Sequence, residues 1–242
     1  MSETIIQNLK TINNRIEVAC KRAGRNRAEV RLLLATKTVD SERIKFALNQ
    51  GETLVGENKV QELQQKCEAI AVCNPEVHFI GHLQTNKIKD VIKWASCIET
   101  IDRIALAKKL HERLSSKNKT IDVYIQVNTS YEESKFGVSP EKALELITQV
   151  SQLETIHIKG LMTIGLFSSE PEKVRQCFRL LKTIQTEAMG LNLPDVSLQE
   201  LSMGMSGDLE IAIEEGATIV RIGTAIFGPR IYPDSYYWNE TK

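Results

Sequence analysis

The chain has 242 residues, 42% of them hydrophobic and 26% charged, with 31 Lys and Arg balancing 31 Asp and Glu. That length can bury a substantial core. The zero formal charge argues against nucleic acid as a partner, and the even spread of apolar residues argues against disorder. Five scattered cysteines (Cys20, Cys67, Cys73, Cys97, Cys177), with no C-x-x-C pair, read as buried or free thiols in a reducing compartment, so a cytoplasmic location is expected.

The N-terminus lacks a basic start followed by an apolar run, so no signal peptide is expected. No apolar stretch approaches the roughly 18 residues of a membrane span. The sequons at Asn118, Asn128 and Asn239 read as chance matches. No linker or low-complexity tract breaks the chain, and a single domain over 1–242 is expected.

A first helix is predicted over about 4–23, with Ile5, Leu9, Ile12, Ile16, Ala19 and Cys20 on one face. Strand and helix patterns then alternate. Val30–Thr36 precedes a helix Ser41–Gln50 stopped by Gly51. Thr53–Gly56 precedes Asn58–Ala71, Val77–Gly81 precedes Leu83–Ala95, and Cys97–Thr100 precedes Ile104–Ser115. Ile121–Asn128 precedes Pro140–Leu153, and Ile156–Thr163 precedes Pro171–Met189. Leu198–Met203 precedes Asp208–Glu215, and Ile219–Gly223 closes the series. Pro140 and Pro171 suit first helical turns, and Gly190 and Gly216 are read as lying just past helix ends. A short C-terminal tail, about 229–242, follows.

Such alternation predicts a parallel sheet with helical crossovers. Eight strands in this length fit a (β/α)8 TIM-type barrel. An open doubly wound sheet is the alternative, but its G-x-G-x-x-G signature is absent after the first strand.

Polar and glycine residues gather at the C-terminal strand ends, the face that carries function in such barrels. Lys37 follows the apolar run Leu32-Leu33-Leu34-Ala35. Desolvation and a basic neighbour would make it a Schiff-base nucleophile. It could equally snorkel to solvent, and on this residue alone that second reading is the stronger. The seventh strand end shifts the balance. Gly204 and Gly207 flank Ser206 ahead of a helix start, and Gly223 and Thr224 form a second short polar turn. Loops after strands seven and eight commonly hold a phosphate in barrels. The plainer alternative makes Ser206 a helix N-cap and the glycines turn residues.

Arg221 alternates in sense with Val220 and Ile222, so it points into the barrel mouth and needs a partner. A cofactor's ring nitrogen and the carboxylate of Glu200 are the two candidates. Asn58 and Asn86 could bind a ligand or cap a helix. His78 and His82 straddle a strand end, which makes a zinc reading weak, and His111 and His157 read as surface or packing residues. No Ser-His-Asp grouping, P-loop or carboxylate pair stands out. The stretch Ser168-Ser169-Glu170-Pro171-Glu172 reads as a solvated connection.

A lysine, a phosphate cup and a ring-nitrogen partner in one mouth suggest pyridoxal 5′-phosphate. The stretch His78-Phe79-Ile80-Gly81-His82-Leu83-Gln84-Thr85-Asn86-Lys87 resembles the signature of the YggS/PROSC family of pyridoxal phosphate homeostasis proteins. So do Leu34-Ala35-Thr36-Lys37-Thr38, Gly56-Glu57-Asn58-Lys59-Val60-Gln61-Glu62, Ser202-Met203-Gly204-Met205-Ser206-Gly207-Asp208 and Arg221-Ile222-Gly223-Thr224-Ala225-Ile226-Phe227-Gly228.

The resemblance, which runs over nearly the whole chain, implies the fold-type III barrel of the alanine racemase N-terminal domain. It implies a Schiff base on Lys37, phosphate held by Ser206, Gly207, Gly223 and Thr224, and Arg221 facing the pyridine nitrogen. Asn58, and with them Met203 and His82, would line the cofactor. It further implies a non-catalytic role in vitamin B6 and amino-acid/keto-acid balance, with transient contact to apo-enzymes that use the cofactor. A weak amino-acid racemase is the alternative. The tail after Gly228 is too short for the second domain that gives a racemase its second base, so a monomeric carrier is expected.

Overall fold

The computed structural model describes residues 2–229. The strands are β1 (Arg31–Ala35), β2 (Leu54–Glu57), β3 (Glu76–Phe79), β4 (Cys97–Ile101), β5 (Ile121–Gln126), β6 (Ile156–Met162), β7 (Val196–Ser202) and β8 (Ile219–Ile222). They pair in sequence order into a closed parallel barrel, with β1 returning to β8 through Leu33 opposite Arg221. The open doubly wound alternative is thereby excluded.

The helices are α1 (Ser2–Arg22), α2 (Ser41–Leu48), α3 (Val60–Ile70), α4 (Ile88–Val91), α5 (Ile104–Ser115), α6 (Ala143–Val150), α7 (Pro171–Gly190), α8 (Leu209–Glu214) and α9 (Thr224–Phe227). Pro140 and Pro171 do open helical turns. The long helix expected over Leu83–Ala95 is instead a 3₁₀ turn, Thr85–Lys87, followed by the single-turn α4. The four residues of α9 are too few to show a helical period, and the sequence pattern gives only a polar turn at Gly223 and Thr224. Gly216 stops α8 in the left-handed region (φ +101°), as expected. Gly190, by contrast, is the last residue of α7 and not a residue beyond it.

Strand alternation divides the core in two. One layer lies between the sheet and the helices and includes Leu32, Leu34, Val220 and Ile222 with the buried face of α1. Each fully buried Leu or Ile there contributes about 1.5–3 kcal/mol. The other layer fills the barrel interior with Leu33, Leu54, Cys97, Tyr124, Met162 and Ile219. A glycine lets β6 and β7 meet: a Cβ on Gly160 would lie 2.1 Å from the Glu200 carbonyl oxygen. The pairing of the two strands shifts register there, between Ile158 and Gly160.

All five cysteines are free, and Cys20, Cys67, Cys97 and Cys177 are buried. Among the described residues no helix is long and apolar enough to cross a membrane, and no cluster of His, Cys, Asp or Glu could hold a metal ion. The tail residues 230–242, with Tyr232, Tyr236, Tyr237 and the Asn239 sequon, lie outside the described residues.

Candidate functional site

β7, β8, β1 and β2 are consecutive around the barrel, so their C-terminal ends share one half of the mouth. That adjacency brings the 203–208 loop, the Gly223–Thr224 turn, Lys37 and Asn58 together. It rests on backbone register: a Cβ on Gly223 would lie 2.9 Å from the carbonyl oxygen of Ala35, two residues before Lys37.

Lys37 is buried, with only 7% of its surface exposed. Both its neighbours are clamped. The single hydroxyl proton of Thr36 is shared between the Glu57 carboxylate (3.0 Å) and the Gly56 carbonyl (3.1 Å). The Thr36 carbonyl accepts from Lys66 Nζ at 2.7 Å, and the Thr38 amide donates to Glu62 at 2.7 Å. Thr38 itself is left-handed (φ +63°), which turns the chain sharply just past the lysine. Burial pushes the Glu57 carboxyl up from its ordinary range, against the pull of Lys66 at 2.8 Å. Sequence reasoning missed Glu57, Glu62 and Lys66 as a unit. The available signal was the i,i+4 spacing of Glu62 and Lys66 on α3.

The 203–208 loop is held from behind. Arg15 of α1 donates to the Ser206 carbonyl (3.0 Å) and pairs with Glu210 of α8 at 2.7 Å. Asp208 Oδ1 accepts the Met205 amide at 2.6 Å. α8 starts at Leu209 with Asp208 in the cap position, so Ser206 is not its N-cap. A Cβ on Gly207 would meet nothing within 4 Å, so this loop borders open space. Past β8, α1 and α2 hold α9: Asn8 donates to Ile226 O at 2.9 Å, and Arg43 donates to Phe227 O.

Two expected lining residues fall elsewhere. Met203 is fully buried in the layer between sheet and helices, because alternation past the inward Ser202 sends it outward. His82 stacks on Phe136, ring centroids 3.8 Å apart, and its Nδ1 lies 3.7 Å from Asp102. That draws it to the β4 and β5 side of the mouth. Asn58 donates its backbone N–H to Glu57 (2.8 Å) and is half-buried at the mouth, while Asn86 is exposed on the 3₁₀ turn.

Arg221 is buried and points inward. Its guanidinium donates to Ser202 Oγ (2.9 Å) and to the Thr163 carbonyl (2.8 Å). The carboxylate proposed for it from sequence, Glu200, is instead bound by the Tyr124 hydroxyl at 2.7 Å near the opposite end of the barrel. The reason is geometric. Glu200 precedes Ser202 by two residues, one inward position deeper along β7.

Below Arg221 lies a column the sequence reading did not assemble. Ser202 Oγ donates to Glu99 (2.6 Å), Glu99 meets His78 Nδ1 (2.6 Å), and His78 Nε2 meets Glu76 (2.7 Å). Period-two spacing of Glu76 and His78, and of Cys97 and Glu99, was the available signal. Burial disfavours the imidazolium, but bonds to Glu76 and Glu99 outweigh it and raise His78 to about 9. Burial likewise opposes ionisation of Glu99, but His78, Arg221 and Ser202 together hold it below the usual carboxylate range.

A closed parallel barrel with a buried lysine after its first strand, and an arginine and two glycine turns at the adjoining ends, defines a class. It is the barrel of the alanine racemase N-terminal domain, whose family description matches residues 7–231. Within that class the chain belongs to the family of pyridoxal phosphate homeostasis proteins. A protein of that name from Aquifex aeolicus is 45% identical over 226 residues, covering 93% of this chain and 98% of the relative. Among solved structures, an unknown protein from Bifidobacterium adolescentis aligns with TM-score 0.91 and 38% identity over 93% of this chain and 95% of its own. PipY of Synechococcus elongatus with PLP bound aligns with TM-score 0.78 and 30% identity over 90% of this chain and all (100%) of its own.

Proposed function

We propose that the chain holds pyridoxal 5′-phosphate in this mouth as a Schiff base on Lys37 and serves cofactor homeostasis without turnover. The carrying observation is the clamp. Glu57, Glu62 and Lys66 hold the residues either side of Lys37 by hydrogen bonds, so a buried amine is presented at one place beside Arg221's strand. The bound structure of PipY supports the choice of ligand.

The residues fit the group. The Ser206–Gly207 loop borders open space where an anion can approach, and the Gly223–Thr224 turn adds backbone N–H donors. When bound, the cofactor supplies an aldehyde to which the lysine amine adds with loss of water. Arg221, already spanning Ser202 and Thr163, orients the ring and keeps its own proton, so it disfavours a protonated pyridine. Lys37 is buried in the mouth, and Arg15 holds the loop from behind.

A weak racemase is the second reading, favoured by the family-level match to the alanine racemase N-terminal domain. The proposal extends to a monomer in the cytoplasm that meets apo-enzymes transiently. Reduction of the loaded protein with borohydride and peptide mass mapping tests the site. A pyridoxyl group on Lys37, absent in Lys37→Ala, is expected; an adduct spread over exposed lysines would refute it. Racemisation of any amino acid in a chiral panel by wild type, lost in Lys37→Ala, would overturn the non-catalytic part. Cofactor transfer to an apo-enzyme no faster than from free solution would remove delivery and leave storage.

A further inference from the structure

The column beneath Arg221 has a defined direction. An arginine only donates, so the Ser202 oxygen accepts from it, and the single hydroxyl proton must go to Glu99. His78 has carboxylate oxygens within 2.7 Å of both ring nitrogens, so both nitrogens donate and the ring is an imidazolium. Charges therefore alternate from the mouth inward: Arg221 positive, Glu99 negative, His78 positive, Glu76 negative. Glu99 and Ser202 are both 0% exposed. A carboxylate so deeply buried is costly without partners, and here its partners are the imidazolium and, through one hydroxyl, the guanidinium.

We propose that Glu99 and Ser202 are positioning residues that fix the guanidinium of Arg221 and offset its charge toward the ring of a bound pyridoxal phosphate, with His78 securing Glu99. This rests on the reading of the site given above. Other groups bear on the column. Asp208, at the start of α8, acts on Arg221 by its charge. Tyr124 from β5 lies edge-on to His78 at 6.0 Å. Cys97 stands two residues before Glu99 on β4 and is buried. Glu76 is also paired with Arg31 at the far end of the barrel. None of these bridges Arg221 directly, whereas Ser202 does. An arginine with no anion behind it would lower the proton affinity of a nearby imine or pyridine nitrogen, and a carboxylate one hydroxyl away cancels part of that effect.

The test uses the full chain loaded with pyridoxal 5′-phosphate, as wild type, Glu99→Gln and Ser202→Ala. Two quantities are read: the midpoint of the pH titration of the yellow Schiff-base band, and the cofactor retained after gel filtration. Glu99→Gln is expected to lower the midpoint by about one pH unit, a tenfold loss of proton affinity, with cofactor still retained. Ser202→Ala keeps the carboxylate but cuts the bridge. It is expected to move the midpoint less and to loosen retention several-fold. A folded Glu99→Gln chain with the wild-type midpoint overturns the proposal. If that variant does not fold by circular dichroism, Ser202→Ala decides alone, and an unchanged midpoint with unchanged retention overturns it. A wild-type chain that forms no reducible adduct at Lys37 refutes the underlying site reading, an outcome distinct from both.

Discussion

The ammonium of Lys66 lies 2.7 Å from the carbonyl oxygen of Thr36, so a helix after β2 grips the backbone just before Lys37. The same ammonium meets Glu57 at 2.8 Å and Glu62 at 2.5 Å. One cation thus ties the second strand, the third helix and the turn after the first strand. Lys66→Met removes all three bonds and leaves Glu57 buried without its cation. The expected cost is about 3 kcal/mol at neutral pH, read by urea unfolding. It shrinks as pH falls, because the Glu57 carboxyl, already pushed up by burial, then takes a proton. Formation of the borohydride-reducible adduct slows in the same variant, since the turn holding Lys37 is released. A Lys66→Met protein as stable as wild type at pH 8 would refute the clamp.

Two glycines make opposite predictions. A Cβ on Gly81 would lie 1.9 Å from the Asn58 carbonyl oxygen, a backbone atom that cannot swing aside. Gly81→Ala should therefore destabilise the fold by about 3 kcal/mol. A Cβ on Gly207 would meet no atom within 4 Å. Gly207→Ala should change the melting temperature negligibly, yet reduce retention of pyridoxal phosphate about tenfold by filling space at the anion loop. Unaltered retention would take Gly207 out of the phosphate cup.

The buried histidine gives stability a pH profile. His78 is raised in the folded state to about 9 from an ordinary 6.5, so its contribution is complete below pH 6.5 and is lost as pH rises through 9. Glu76 is lowered to about 2, chiefly by its bond to His78, so its contribution is present above pH 4.5 and lost as pH falls toward 2. Stability should peak between these limits and decline on the alkaline side by a few kcal/mol at most. In His78→Gln the alkaline slope should flatten, as followed by urea midpoints from pH 6 to 10. An identical slope would place its origin elsewhere.

Arg15→Met separates the 203–208 loop from α1 while leaving the barrel intact. Its pair with Glu210 is partly exposed, so the stability loss should be about 1 kcal/mol or less. The Ser206 carbonyl loses its anchor, and cofactor retention should fall several-fold at constant secondary structure. Equal retention would show that α8 alone shapes the loop.

The barrel was legible because each strand is a short apolar run ended by a glycine or polar residue, and period rules read that directly. What escaped was set by tertiary contact. The helix expected after His82 shrank to one turn, since Leu83, Ile88 and Val91 reach the core while Gln84, Thr85 and Asn86 face solvent. Arg221's inward aim followed from alternation, but its partner did not. Depth along the barrel axis decides between Ser202 and Glu200, and no local pattern encodes depth. Met203 was misjudged for a related reason: a motif names neighbours in sequence, while alternation sends adjacent residues to opposite faces. Glu99 and Ser202 sit on β4 and β7, and only barrel closure brings them to 2.6 Å.

The bonds from Arg15 to Ser206 and from Asn8 to Ile226 join residues 191 and 218 positions apart. During synthesis, Lys37 leaves the ribosome long before β8 exists to lie beside β1. Until then its strand has an open edge, and the 203–208 loop has not yet been made. The mouth is therefore assembled last, in the same step that seals the cylinder. A nascent chain displays Lys37 as an ordinary side chain, and only the finished one buries it among the strand ends.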